Sequence, residues 1–133
     1  MSDADSKATG SIKAWRNKFA CAIAGGFWAF RTQSSFWVHI PITAMVFALA
    51  ALLKIGPIQW TAIVLATMVV FAAELLNTAI EQIVKVLHPD HDPNIGHALD
   101  AAAAGVLVTA IGAVAVGLIT LGPPLIQLLM PGA

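Results

Sequence analysis

The sequence predicts an all-α integral membrane protein: an amphipathic N-terminal helix in the membrane interface followed by three transmembrane helices. Three observations lead there. Of the 133 residues, 59% are hydrophobic and 11% charged, and mean hydropathy is +0.84. A soluble domain usually carries about 25% charged residues, so this chain cannot cover a water-exposed surface. Three apolar stretches approach or exceed the ~20 residues that cross a bilayer. The segment before them repeats apolar residues every three or four positions between lysines and arginines. One domain is expected at this length, membrane-embedded over residues 11–133 behind a polar tail, residues 1–10.

The tail, MSDADSKATG, lacks the apolar centre of a signal peptide and reads as disordered. Over residues 11–35, Ile12, Trp15, Phe19, Ala22, Ile23, Phe27 and Phe30 form an apolar stripe, with Lys13, Arg16, Lys18 and Arg31 carrying positive charge. Aromatics and basic residues on one amphipathic helix suit the interface. Gly25-Gly26 is a place for a kink or a close approach to the backbone. The first span covers Phe36 to Leu53, with Pro41 near its start, and Lys54-Ile-Gly-Pro-Ile-Gln is a tight turn. The second runs as one helical pattern from Ile58 to Leu87. The loop His88 to Gly96 holds two prolines. The third span runs from His97 to Leu121, where Gly122-Pro123-Pro124 is expected to end it before an apolar stub to Met130.

Basic residues near span ends set orientation. The N-terminal segment holds Lys7, Lys13, Arg16, Lys18 and Arg31, against Lys54 alone in the first turn. The N-terminus and the far end of the second span are then both cytoplasmic. A formal net charge of zero argues against a nucleic-acid partner, and the lone Cys21 reads as a small apolar residue.

The chemistry concentrates on the second span. Glu74 and Glu81 are the only two glutamates. Residue i+7 returns to within roughly 20° of residue i, so Glu74, Asn77, Thr78 and Glu81 share one helix face. An acid within an apolar helix costs about 3 kcal/mol on insertion scales and marks a functional site with a partner. Protonated carboxyls acting as interhelical glue are one reading. A divalent metal carrying a phosphate substrate is the other: Mg²⁺ takes oxygen ligands, usually one or two carboxylates plus substrate phosphates. One carboxylate can serve the metal while another accepts a hydroxyl proton. Asp100, the only acid of the third span, either caps that helix or joins the site. The small pair Ala101 and Gly105 would bring it against the acidic face. There is no P-loop and no glycine-rich kinase loop. His88, His91 and His97 fit no zinc spacing.

Residues 13–121 resemble the prokaryotic diacylglycerol kinase family, which includes the undecaprenol kinases. Glu74-Leu-Leu-Asn77-Thr78-Ala-Ile-Glu81 is similar to its E-x-x-N-[ST]-A-[IV]-E signature. Asp100-Ala-Ala-Ala-Ala-Gly105-Val-Leu is similar to its K-D-x-A-[AS]-x-A-V-L segment, and Phe30-Arg31-Thr32-Gln33 with His39 resembles the region before its first span. The resemblance implies a homotrimer with active sites at the membrane surface. It implies transfer of the ATP γ-phosphate to the hydroxyl of a lipid alcohol, diacylglycerol or undecaprenol, with Mg²⁺. Glu74 then matches the general base, Asn77 and Asp100 other catalytic positions, and Glu81 a metal ligand. Gln33 stands where the family has a metal-binding glutamate. Arg16, Lys18 and Lys85 are the cations expected to contact ATP, with Gln33 and Glu81 positioning it. Leu99 replaces the family's lysine; a relative that binds nucleotide or lipid without turnover is the alternative this departure opens.

Overall fold

The structure, a computed structural model, describes the backbone of residues 3–88, 90 and 92–130, and the side chains of these from Ile12 onward. His91 and the start of the tail lie outside the described residues. Four helices follow one another: α1 (Asp3–Thr32), α2 (Ser34–Leu52), α3 (Pro57–Leu87) and α4 (Pro93–Leu129). α2, α3 and α4 are each long and apolar enough to cross a membrane.

In α1 the backbone is helical from Asp3, including residues that their composition assigns to the tail. The helix runs unbroken through Gly25 and Gly26, and no atom lies within 4 Å of where their Cβ atoms would sit. Neither a helix break nor a close approach within the chain uses them. Ile12, Trp15, Phe19, Ile23 and Phe27 are exposed, so the rest of the chain does not cover the apolar stripe. Lys18 lies 5.2 Å over the Trp15 ring and Arg31 4.3 Å over that of Phe27, cation–π contacts that let the charges lie along apolar surface. α1 is anchored at its last turns, where Ala29 is buried and Phe30 meets Phe36 and Phe71 edge-on at 4.4 and 5.9 Å.

Phe36 is the largest fully buried side chain among the described residues, and its ring also meets Phe71 at 6.0 Å. This trio joins α1, α2 and α3 beside the acidic face. Phe36→Ala is expected to destabilise the fold by about 3 kcal/mol, measured by thermal unfolding in detergent.

Pro41 stands inside α2 without ending it. The helix closes instead in a Schellman motif: Lys54 N–H donates to Ala51 O at 3.2 Å and Ile55 N–H to Ala50 O at 3.3 Å. Lys54 adopts φ 50°, a left-handed conformation that strains an L side chain. Ile55 then packs on a small core of Ala50, Ile63 and Leu121, the apolar contact typical of this cap. Lys54→Gly is expected to stabilise the protein by about 0.5–1 kcal/mol in the same unfolding measurement. α3 starts with Gly56 as N-cap and Pro57 in the first turn, where a missing N–H has no consequence.

α3 and α4 form a hairpin and share the most extensive contact of the chain. Asp92, not Asp100, caps α4: its carboxylate accepts from Asn94 N–H at 2.7 Å. α4 also corrects the expected end at Gly122-Pro123-Pro124, because the helix continues to Leu129. Two prolines remove two backbone donors, yet breaking a helix in a lipid-like environment would leave many more groups unpaired. Thr120 Oγ1 donates to Val116 O at 2.7 Å just before this point, one of several threonines that back-bond along the helices.

Candidate active site

The acidic face of α3 forms two adjacent polar clusters. In the first, Glu74 is 4% exposed, and its Oε1 lies 2.9 Å from Nε2 of His39 on α2. Thr78, one turn on, is equally buried. In the second, Asn77 Nδ2 donates to Glu81 Oε1 at 2.8 Å, and Glu81 Oε2 is 3.9 Å from Lys85 Nζ. The i, i+4 spacing puts Asn77, Glu81 and Lys85 in line along the helix. Asn77 Oδ1 is buried with no hydrogen-bond partner. That orphaned acceptor stands beside a carboxylate, a combination suited to a hard cation. Among the described residues no three His, Cys, Asp or Glu side chains converge.

Asp100 does not join these clusters. It is exposed and makes no hydrogen bond or ion pair among the described residues. Leu99, Ala102, Val106, Thr109, Ala113 and Val116, spaced three and four apart, are half-buried and form a stripe along α4, whose main contact is with α3. Asp100, Ala101 and Gly105 fall outside that seam and are exposed. The small pair expected to draw Asp100 onto the acidic face thus faces away from it.

Gln33 sits at the α1–α2 junction, half-buried, with extended backbone and no side-chain cap bond. Arg16 and Lys18 are exposed on α1 and make no ion pair with Glu74 or Glu81. Lys85 is thus the one expected cation that stands beside an acid of the site. It also lines a cavity of about 450 Å³ with Leu99, His88, Asp90 and Asp92 where α3 meets α4.

His39 is the residue that sequence reasoning passed over. The resemblance places it before the family's first span and assigns it no role. The available signal was its rarity: it is the only ionisable side chain of α2, and such residues inside spans are functional by default. His39 also ends a groove of about 410 Å³ between α2, α3 and α4, lined otherwise mostly by apolar side chains such as Val46, Val70, Phe71 and Val114.

Fold and site together define a membrane-spanning helical protein with one buried and one half-buried glutamate on one face of α3. The family profile described as prokaryotic diacylglycerol kinase matches residues 20–121. The chain belongs to this family of lipid kinases. The match includes Gln33, His39, Glu74, Asn77, Glu81, Lys85, Leu99 and Asp100 but not Arg16 or Lys18. The chain is 37% identical over 113 residues to a diacylglycerol kinase of Synechocystis sp., covering 84% of this chain and 65% of that protein, less than two thirds of its length. It is 36% identical over 101 residues to the undecaprenol kinase of Bacillus subtilis, covering 75% of this chain and 82% of that one. No solved structure matches.

Proposed function

We propose that this protein transfers the γ-phosphate of ATP to the hydroxyl of a membrane lipid alcohol, diacylglycerol or undecaprenol. The observation that carries this reading is the buried Glu74 beside the Asn77–Glu81–Lys85 row on one face of α3. Glu74 accepts the hydroxyl proton as the alcohol oxygen attacks the γ-phosphorus. The phosphorus–oxygen bond to ADP breaks, ADP leaves, and the proton remains on the Glu74 carboxyl until solvent removes it.

Glu81 and the free Oδ1 of Asn77 would hold Mg²⁺, with Gln33 as a third candidate oxygen donor. The ion supplies charge neutralisation at the phosphates. Lys85 offers a second positive charge there, and Arg16 and Lys18 hold the nucleotide more loosely from α1. In this reading the site opens at the cytoplasmic surface of the bacterial inner membrane, with the N-terminus on that side, as the distribution of Lys and Arg favours. Asp100 and the bare surface at Ala101 and Gly105 face outward. There a second copy would complete the site in the homotrimer that the family resemblance implies.

The test is phosphate transfer from labelled ATP with Mg²⁺, using purified protein in lipid and offering diacylglycerol and undecaprenol separately. Labelled lipid phosphate is expected with one of them. Leu99, apolar beside Lys85, favours the second reading, a binding protein without turnover. Nucleotide binding with no product from either lipid would establish that reading instead.

A further inference from the structure

The contact between His39 and Glu74 is the one polar side-chain bond between different helices among the described residues. The two partners differ in exposure: the His39 side chain is 23% exposed and that of Glu74 5%. A carboxylate this buried can turn about its last torsion unless something holds it, because that torsion is broad. His39 holds one oxygen. With Glu74 ionised, the imidazole donates from Nε2 to Oε1, a charge-assisted bond of normal length. Oε2 makes no side-chain hydrogen bond among the described residues, so it is the oxygen left to accept a proton. His39 also lines the apolar groove between α2, α3 and α4. The Phe30–Phe36–Phe71 trio supports this register between α2 and α3, with Phe71 less than one turn before Glu74.

We propose that His39 is the positioning residue of the site: by holding Oε1 of Glu74 it presents Oε2 to the acceptor hydroxyl. This rests on the kinase reading above. His39 neither takes the proton nor touches phosphate. Losing it leaves the base in place but poorly aimed, and misplacement of about 1 Å at a reacting group can lower the rate by about 10²-fold.

The experiment compares His39→Ala, His39→Gln and Glu74→Gln with the unchanged chain in the same vesicles, under saturating Mg²⁺-ATP and varied lipid alcohol. Glutamine places an N–H donor near the position of Nε2. His39→Ala is expected to lower kcat by about 10²-fold with KM for the lipid alcohol within about twofold. His39→Gln is expected to recover at least about tenfold of that loss. Thermal unfolding of each variant is measured alongside. Three results would overturn the proposal: kcat unchanged in His39→Ala, His39→Gln as slow as His39→Ala, or a loss of rate that follows a loss of folded protein. An unchanged chain that makes no product overturns the kinase reading and this inference with it. An active, Glu74-dependent chain that is indifferent to His39 overturns this inference alone.

Discussion

Glu74→Gln is expected to lower kcat for phosphate transfer by about 10³-fold or more, with the protein still folded. General-base catalysis contributes 10²–10⁴-fold, and among the described residues no other carboxylate bonds to His39 in place of Glu74. Glutamine has the same shape, and its amide oxygen can still accept from His39 at the 2.9 Å position now held by Oε1. The 4% exposed side chain therefore keeps its packing and its partner but loses the basic lone pair. Removing the buried charge also lifts a desolvation penalty, so thermal stability should hold or rise. The measurement is initial rate against unfolding temperature in the same vesicles. Full activity in this variant would show that the acceptor proton leaves by another route.

The second large effect concerns positive charge. Leu99 occupies the place where the resemblance expects lysine, and it shares a cavity with Lys85. Lys85 Nζ is 3.9 Å from Glu81 Oε2, a weak exposed pair of little value to stability. In the proposed kinase its stronger use is electrostatic, toward phosphate charge that grows during transfer. Lys85→Met is expected to lower kcat/KM for ATP by about 10²–10³-fold. Adding Leu99→Lys to that variant should restore at least about tenfold, because the new ammonium enters the same cavity from α4. Unchanged kinetics in Lys85→Met would remove this lysine from the site. A loss that Leu99→Lys leaves untouched would mean that charge there must come from α3.

The spans were legible because their signal is long and redundant. The second was read as Ile58 to Leu87 and is found as Pro57–Leu87. Stop signals that hold in aqueous proteins do not hold in these spans. Gly122-Pro123-Pro124 stops helices in water, where freed carbonyls find solvent, but α4 passes through it. Periodicity placed Glu74, Asn77 and Glu81 on one face, since a single helix fixes that by itself. Asp100 depended on the rotation of one helix against another, which spacing alone does not encode. The seam through Leu99 and Ala102 turned it outward. His39 was visible as an ionisable residue in an oily span, but its partner lies 35 positions away. Nothing local in the sequence pairs the two.

α3 also acts as a ruler. Its 31 residues are more than a bilayer's hydrocarbon layer of about 30 Å can enclose. Counted from Pro57 at 1.5 Å per residue, Glu74 stands about 26 Å along the axis and Glu81 about 36 Å. With Pro57 at one hydrocarbon boundary, the other boundary falls between the two acids. The residue proposed to take a proton then lies at the depth of an alcohol whose tail stays in oil. The residue proposed to hold metal lies among the headgroups, where a water-soluble nucleotide can reach it. Eight residues of one helix thus span the dielectric step that the two proposed substrates approach from opposite sides, and neither has to leave its own solvent to meet the other.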